Sequence, residues 1–547
     1  MRPLVSAMTT TLRQVFVAAI KSLLRGKTLI QAFLAFWVSP TVLKGQRVKS
    51  KDKFTRTIED FLKEAEALLV RPSEGDGLEE FASKLKAQFR KGLLSNPDCM
   101  LPSYNYQLPN GYETGQYLAL DVGGSTLRVA LVELRSRVAR GSEREIVRMK
   151  SFPIASSIKN LEGMDFFDWM AGQILETVAE DVKHNSSEKP LPMGLAWSFP
   201  IEQTSLKGGI LRNMGKGFLA ANGLLGQELG DVIQLACKGK GLEVELAAIV
   251  NDSTAALLSE AYVNEATRFS LILGTGVNIA AHLPIPTICP EKYGTRPDGW
   301  FDKASHVVVN TELGMFGEGI LPMTRWDRIL AADHPRPDFQ PLEYLVSGFY
   351  LGEMTRIAFI EAIKSTGVYG GVVAPPLTKQ YSLDTRTMAI IEGDTTPSLS
   401  QAIAAFRQCY PSLPEPTTTD MKALRTIASF VSRRSSSIVA ASLFALWQLK
   451  TETETEYLRD LTTATASSPF AAETEAELRL PRTVVSFTGS VIENYPGYLV
   501  NTQRYVDDLI TAGGGVPGCI DLVAAKESSL IGAAVALACA VEGKGDN

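Results

Sequence analysis

Cysteine and histidine are scarce in this chain and lie far apart. Among 547 residues there are six cysteines and four histidines, and no two cysteines stand at the short spacing that zinc sites use. This distribution excludes a disulfide-stapled secreted scaffold and a structural zinc site, and it is typical of a protein in a reducing compartment.

A strong excess of charge is also missing. The formal net charge is -5, with 21% charged and 45% apolar residues. Without a broad basic field, we expect no nucleic-acid partner. The composition is that of an ordinary globular protein, and the length predicts two domains with appendages.

Residues 1–51 contain no acidic residue, although they hold nine Lys and Arg. Within them, residues 28–43 form a stretch of 16 uncharged residues, interrupted by Pro40. A bilayer span needs ~20 apolar residues, so this stretch is short. The composition is typical of a targeting or anchoring segment. We therefore expect residues 1–51 to attach the chain to the cytosolic face of the mitochondrial outer membrane or to another membrane, with a cytoplasmic location otherwise. The alternative is a helix that covers the globular body.

Two glycine-containing corners organise the rest of the chain. Residues 115–134, GQYLALDVGGSTLRVALVEL, and residues 268–283, RFSLILGTGVNIAAHL, each place a tight corner between two apolar runs. They predict two β-hairpins of a duplicated α/β fold, one in each domain. Residues 52–94 have helical apolar spacing. Residues 451–478 are rich in Thr, Glu and Ala and predict a largely solvated insertion.

The corners carry groups that suit phosphate. Glycine allows a backbone to approach a ligand closely and to turn successive N–H groups outward. The first corner adds the carboxylate of Asp121, which can hold Mg²⁺ beside a phosphate, and the second adds the hydroxyl of Thr275. Taken alone, either corner is more simply explained as a tight turn. Two polar corners in one chain favour a nucleotide clamped between two similar domains.

A candidate catalytic acid stands between the corners, in AIVNDSTAALLSEAY. The residues after Val250 can cap the following helix, which is the simpler interpretation. As a functional group, Asp252 would lie at the positive end of that helix, which favours its ionised form. Strong basicity is unnecessary in phosphoryl transfer, because the transition state is loose.

Several segments together resemble the hexokinase family over about residues 52–541. They read DVGGST, SFPIEQTS with GKGF, VNDSTAA, GTGVN, VNTELGMFGEG, LEYLVSGFYLGEMTR and TGSVIENYPGY. The resemblance implies ATP- and Mg²⁺-dependent phosphorylation of a hexose (glucose, fructose or mannose) at its 6-hydroxyl, feeding glycolysis. The implied fold is α/β, actin-like (ribonuclease-H-like), with two duplicated domains and a cleft between them. The implied large domain comprises 52–111 and 252–527, and the small domain 112–251 and 528–547.

The same resemblance implies roles for individual residues. Asp252 would be the catalytic base, and Lys216 would contact the sugar near the arriving phosphoryl group. The implied sugar-binding residues are Ser198, Lys216, Asn251, Asp252, Asn278, Glu312 and Glu343. The implied nucleotide-binding residues are Asp121, which would also hold Mg²⁺, Gly123, Gly124, Ser125, Thr126, Arg128, Gly274, Thr275, Gly276, Gly489, Ser490 and Ser529. Arg128 either supplies positive charge to the phosphates or is a structural ion-pair residue.

The sequence departs from the family pattern at four places. Ser125–Thr126 replaces Thr-Asn, Gly215 replaces a Thr, and Thr488 replaces an Asp beside the nucleotide. Ser528 and Leu530 replace two glycines before the last helix, while Glu527 and Ser529 keep the acidic and hydroxyl character. If those glycines need positive φ or touch the nucleotide, side chains there cost ~1 kcal/mol or more, or obstruct the adenosine.

The sequence leaves three hypotheses open. The leading one is a hexose kinase with weak binding of ATP. The second is a hexokinase-like sugar sensor or regulator with weak or no transfer. The third, a membrane-tethering adaptor, depends only on residues 1–51.

Overall fold

The structure is a computed structural model and describes residues 56–184, 190–463 and 470–542. The predicted targeting segment, residues 1–51, lies outside the described residues. In the part of the chain that the structure describes, no helix is both long enough and apolar enough to cross a membrane.

Most strands belong to two sheets. The strands are β1 (Leu101–Pro102), β2 (Thr114–Val122), β3 (Thr126–Arg135), β4 (Arg144–Pro153), β5 (Leu191–Trp197), β6 (Ile201–Gln203), β7 (Gly209–Leu211), β8 (Val244–Val250), β9 (Thr267–Leu273), β10 (Val277–Pro284), β11 (His306–Asn310), β12 (Thr483–Thr488) and β13 (Ile520–Ala524). One sheet has the order β4-β3-β2-β5-β8, and the other has the order β1-β11-β10-β9-β12-β13. Strands β6 and β7 form a separate hairpin.

Helices cover both sheets. The α-helices are α1 (Ile58–Leu69), α2 (Gly75–Ser95), α3 (Ser156–Lys159), α4 (Met164–His184), α5 (Leu229–Gly239), α6 (Asp252–Val263), α7 (Trp300–Lys303), α8 (Arg325–Asp333), α9 (Pro341–Val346), α10 (Gly348–Thr366), α11 (Pro375–Thr378), α12 (Thr385–Gly393), α13 (Ser400–Cys409), α14 (Thr418–Thr463), α15 (Phe470–Leu478), α16 (Ser490–Asn494), α17 (Tyr498–Ala512) and α18 (Ser528–Glu542). Short 3₁₀ turns cover Arg71–Ser73, Ile285–Thr287, Pro290–Tyr293, Leu313–Met315 and Val368–Gly371.

Strand β2 has six consecutive buried residues because both of its faces are covered. Leu118 and Leu120 point into a core shared with α4 and α5. Tyr117 and Ala119 point into a second core shared with α6 and α18. An uninterrupted apolar run is the expected sequence signature of a strand in this position.

Helices α6 and α18 pack against each other between the two sheets. Helix α6 lies on the six-stranded sheet and α18 on the five-stranded sheet. Small residues allow this contact: a Cβ added at Gly532 would lie 2.0 Å from the carbonyl oxygen of Ala255, and one at Gly194 would lie 2.2 Å from that of Ala533. The backbones therefore approach more closely than side chains would allow.

Both glycine hairpins form as predicted, as β2–β3 and β9–β10. The predicted helical character of residues 52–94 is confirmed for the described part, in α1 and α2. The structure does not test the predicted domain boundaries, which stay a prediction.

The prediction of a largely solvated insertion at 451–478 is confirmed in part: most of its described residues are at least partly exposed, but they are helical, and Thr453, Glu454, Tyr457 and Thr474 are buried. Residues 451–463 end the 46-residue helix α14, and 470–478 form α15. Glu454 is buried, and Glu477 pairs with Arg268 at 2.5 Å and with Lys450 at 2.9 Å. The charged composition hid these buried ion pairs, since composition alone does not distinguish paired from solvated carboxylates.

Candidate active site

The parallel strands of the five-stranded sheet end together at one edge. Val122 pairs with Trp197, and Ala196 pairs with Val250, so β2, β5 and β8 stop at the same level. The residues that follow these strands are therefore neighbours, as expected at the carboxyl ends of parallel strands. This edge gathers Asp121 and the residues that follow the strands, which are Gly123, Gly124, Ser125, Ser198, Asn251 and Asp252.

The first glycine corner closes tightly, with the Gly123 N–H donating to the Thr126 carbonyl at 3.0 Å. The corner also lies against the loop that carries Lys216. A Cβ added at Gly124 would come within 3.2 Å of the Lys216 Cδ. The missing side chain therefore leaves room for the lysine, while Ser125 is exposed at the tip.

Lys216 stands in an uncommon backbone conformation. Gly215, Lys216 and Gly217 all have positive φ, at 64°, 51° and 80°. Two flanking glycines make such a left-handed run accessible. The Lys216 Nζ donates to the Ser198 carbonyl oxygen at 3.1 Å and lies 5.1 Å from the centre of the Phe199 ring. The Lys216 side chain therefore points toward the edge of the sheet where β2, β5 and β8 end.

This conformation adds a reason for the departure at Gly215. A threonine is β-branched, and positive φ is a genuine outlier for such a residue. With φ at 64°, the position needs a glycine in this backbone. The substitution therefore changes the shape of the loop as well as removing a hydroxyl.

Asn251 and Asp252 begin helix α6. The Asn251 side chain caps the helix by accepting from the Thr254 N–H at 2.9 Å, which confirms the simpler interpretation for this residue. The Asp252 carboxylate accepts from the Ser253 N–H at 2.7 Å and remains half-buried. Capping by Asn251 leaves Asp252 available for another role.

An amide pair supports Glu312. The Asn278 Nδ2 donates to the Asn310 Oδ1 at 2.8 Å, and the Asn310 Nδ2 donates to the Glu312 Oε1 at 2.8 Å. Glu312 itself has φ at 52°, which non-glycine residues adopt only when their surroundings hold them there. Asn310 is not among the residues predicted for the site, although it stands two residues before Glu312 in VNTELG.

Glu343 lies behind the second glycine corner. Its Oε2 accepts from the Val277 N–H at 3.0 Å. A Cβ at Gly276 would lie 2.9 Å from this oxygen, and one at Gly314 would lie 3.1 Å from the Glu343 Cβ. Two glycines thus make space for this carboxylate between β9–β10 and the turn after Glu312.

Four of the predicted carboxylates form an interacting row. Burial raises the pKa of Asp252, and the charge of Asp121 raises it further, against an opposing effect of Lys216. Burial also raises the pKa of Glu312 and of Glu343, with Asp252 adding to the first and Glu312 to the second. Carboxylates in such a row gain from hydroxyl donors. A polyhydroxylated ligand supplies those donors, and Asp252 is a stronger base than an ordinary aspartate.

Asp121 is paired with Arg128, its partner across the β2–β3 ladder. The Arg128 Nε donates to the Asp121 Oδ2 at 2.9 Å, and its Nη1 donates to the Glu527 Oε2 at 2.7 Å. Burial raises the pKa of Asp121, while Arg128 lowers it. These ion pairs support the structural alternative for Arg128, and its contact with a nucleotide stays a prediction.

The second glycine corner lies beside Gly489, the residue that follows strand β12. The Gly274 N–H donates to the Gly276 carbonyl at 3.0 Å, and Thr275 is exposed at the tip. Gly489 has φ at 131°, and a Cβ there would lie 2.4 Å from the Leu273 carbonyl carbon. Ser490 follows at the start of α16, so its N–H lies beside the corner.

Thr488, which stands where the family pattern has an aspartate, is hydrogen-bonded to the carboxylate of Glu493. Its hydroxyl donates to the Glu493 Oε1 at 2.8 Å, and the Gly489 N–H donates to the same oxygen at 2.8 Å. An aspartate at position 488 would stand beside Glu493, which like charges disfavour.

The backbone strain expected at Ser528 and Leu530 is absent from this structure. Both residues are helical in the first turn of α18, and their side chains are 4% and 0% exposed. Leu530 belongs to the core between the two sheets, so its side chain does not obstruct a ligand at the surface. The left-handed conformation lies instead at Glu527, with φ at 49°. Ser529 is half-buried in the same turn.

The residues present fit a magnesium nucleotide. Over 56–184, 190–463 and 470–542, no three His, Cys, Asp or Glu side chains are grouped to hold a metal by themselves. Mg²⁺ is commonly bound through one or two carboxylates together with substrate phosphates. The two hydrogen bonds that Arg128 donates to Asp121 both end on the Oδ2, so the Oδ1 is free of donors from the described residues. Asp121 can hold the ion in this way, and the two glycine corners offer N–H groups to the phosphates.

Comparisons with known proteins agree on one family. A family model described as hexokinase matches residues 268–539, and another described as hexokinase matches residues 70–262. Hexokinase-2 of Candida albicans is 29% identical over 440 residues, which cover 80% of this chain and 83% of that protein. Hexokinase-2 of Arabidopsis thaliana is 28% identical over 514 residues, which cover 93% of this chain and 95% of that protein.

A solved structure confirms the fold. The hexokinase from Schistosoma mansoni, complexed with glucose, aligns with a TM-score of 0.67 and 24% identity, covering 88% of this chain and 100% of that chain. The predicted α/β, actin-like fold is therefore confirmed. With two family models that together span residues 70–262 and 268–539, the chain belongs to the hexokinase family.

Proposed function

We propose that this protein transfers the γ-phosphoryl group of ATP to the 6-hydroxyl of a hexose, such as glucose, fructose or mannose. The observation that carries the proposal is the placement of the Asp252 carboxylate. It is half-buried at the start of α6, within the row that contains Glu312 and Glu343, and it feels the charge of Lys216. Family membership supports the same activity.

Different residues of the chain have different roles in the reaction. Asp252 accepts the proton of the attacking hydroxyl, and its raised pKa favours this transfer. Glu312 and Glu343 accept hydrogen bonds from other sugar hydroxyls and fix the orientation of the ring. Magnesium-bound ATP supplies the transferable phosphoryl group.

Lys216 and the corners provide the positive potential. The Lys216 ammonium lies beside Gly124, so it can stabilise charge on a phosphoryl group arriving over the first corner. The N–H groups around Gly123 and Gly274 are placed for the flanking phosphates. Because the contributing segments belong to both sheets, we expect sugar binding to draw the two halves together.

A matched pair of variants tests the role of Asp252. We expect Asp252→Asn to abolish hexose phosphorylation while glucose still raises the melting temperature, since only the proton acceptor is lost. The control is Asp76→Asn, an exposed carboxylate in the first turn of α2. Full turnover in Asp252→Asn contradicts the assignment of the base. Loss of glucose binding in that variant places Asp252 in sugar binding alone.

The second candidate is a sugar sensor or regulator of hexokinase type. The observation in its favour is the Thr488–Glu493 pair, which stands where the family pattern has an aspartate beside the nucleotide. This candidate predicts glucose binding without formation of sugar phosphate at saturating ATP and Mg²⁺.

The acid-free composition of residues 1–51 supports a further proposal on location. Residues 1–51 attach the protein to the mitochondrial outer membrane or to another membrane, where the sugar phosphate feeds glycolysis. Fractionation of cells that express the full chain tests this, with a chain lacking residues 1–51 as control. Recovery of the full chain only in the soluble fraction contradicts it.

A further inference from the structure

Glu527 lies in the loop between β13, in the six-stranded sheet, and α18, which packs on the five-stranded sheet. Strand β13 ends at Ala524, and the Ala525 N–H still donates to the Phe487 carbonyl of β12 at 2.8 Å. Helix α18 begins one residue after Glu527, which has φ at 49°. A left-handed glutamate persists only where neighbouring contacts hold it, and such residues concentrate at functional sites.

Among the described residues, the side chain of Glu527 pairs with Arg128. Its Oε2 accepts from the Arg128 Nη1 at 2.7 Å. The Arg128 Nε and Nη2 both donate to the Oδ2 of Asp121. All three guanidinium nitrogens are therefore engaged, and the plane of the guanidinium is fixed between two carboxylates.

The orientation of Arg128 decides which oxygen of Asp121 is covered. An isolated arginine–carboxylate pair commonly forms two parallel bonds, one to each oxygen. Here Glu527 draws the Nη1 away, and both bonds to Asp121 end on one oxygen. The Oδ1 has no donor from the residues that the structure describes.

We propose that Glu527 is a positioning residue that keeps the Asp121 Oδ1 open to a hydrated Mg²⁺. It acts through Arg128, and it touches neither sugar nor nucleotide. This proposal depends on the proposed function, because it concerns the magnesium nucleotide that the kinase would use.

Calorimetric titration with the non-hydrolysable ATP analogue AMP-PNP, at a series of Mg²⁺ concentrations and without sugar, tests this without turnover. We expect Glu527→Gln to raise the Mg²⁺ concentration for half-maximal nucleotide binding by about threefold to fivefold, the effect of a partly exposed ion pair. Glu527→Gly removes the same contact and also relieves the left-handed strain, so it separates the two causes. An effect in both variants assigns the shift to the lost carboxylate.

A similar ion pair on the same sheet provides the control. Arg135 also lies between two carboxylates, Glu133 and Glu145, near the other end of β3. We expect Glu145→Gln to leave the Mg²⁺ requirement unchanged. If it shifts the requirement as Glu527→Gln does, the effect is one of general charge, and the proposal is overturned.

A double-mutant cycle tests whether Glu527 acts through Arg128. In an Arg128→Ala background, we expect Glu527→Gln to have no further effect on the Mg²⁺ requirement. If Glu527→Gln shifts the Mg²⁺ requirement equally in the Arg128→Ala background, the proposal is overturned. It is also overturned if Glu527→Gln and Glu527→Gly each leave the Mg²⁺ requirement unchanged. If the wild-type protein binds no AMP-PNP at any Mg²⁺ concentration, the nucleotide half of the proposed function fails with it.

Discussion

The replacement of Leu530 by glycine distinguishes two explanations of the altered loop. If the leucine obstructs the adenosine site, glycine should lower the ATP requirement and leave stability nearly unchanged. The structure instead buries Leu530 completely, in the core between α18 and the two sheets. We therefore expect Leu530→Gly to weaken the fold.

The size of the effect follows from burial and helix propensity. Truncating a buried leucine to alanine costs about 2–5 kcal/mol, through lost transfer free energy and the cavity left behind. Replacing alanine with glycine in a helix adds up to about 1 kcal/mol. The expected loss is therefore about 2–6 kcal/mol, a large part of the about 5–15 kcal/mol that stabilises an ordinary domain.

Urea denaturation followed by circular dichroism measures this loss. Ser529→Gly is the matched control, since Ser529 lies in the same turn of α18 and is only half-buried. We expect the control to cost about 0.5 kcal/mol. A loss below about 1 kcal/mol in Leu530→Gly, combined with a lower Michaelis constant for ATP, would refute the placement of Leu530 in the core.

Three further predictions concern Thr488, Gly489 and His282. Thr488→Asp should destabilise the fold by about 1 kcal/mol, because it places a carboxylate beside Glu493. Adding Glu493→Gln to that variant should restore the lost stability in a thermal melt. Gly489→Ala should cost at least about 2 kcal/mol in urea denaturation, since its Cβ would lie 2.4 Å from the Leu273 carbonyl carbon at the end of β9; a stable variant contradicts the backbone placed there. Burial, followed by the charge of His306, lowers the pKa of His282 well below 6.5, so the unfolded chain binds the proton more readily. The free energy of unfolding should therefore fall as the pH drops below about 6.5, and His282→Phe should flatten that dependence between about pH 5 and 8; an unchanged slope contradicts the assignment.

The sequence was most informative where one local pattern determines one local structure. The two glycine corners predicted β2–β3 and β9–β10, because apolar runs around a tight turn favour a hairpin. Asn251 predicted a helix cap for the same reason, since its side chain bonds only three residues ahead.

Contacts between distant segments could not be predicted in this way. The pair of Arg128 and Glu527 joins residues 399 positions apart, and the buried pair of Arg268 and Glu477 joins residues 209 apart. Nothing in the local sequence of either partner specifies the other. The position of Leu530 was mistaken for a similar reason, because a glycine in a relative does not reveal whether its replacement points to the ligand or to the core.

Direct detection of the product tests the central claim. Purified wild-type protein is incubated with ATP, Mg²⁺ and ¹³C-labelled glucose, and the sugar is followed by NMR, with fructose and mannose in parallel. The account predicts a hexose 6-phosphate from at least one sugar with the wild-type protein and none with Asp252→Asn. Glucose that binds the wild-type protein but yields no 6-phosphate at saturating ATP would contradict the kinase and favour the sensor.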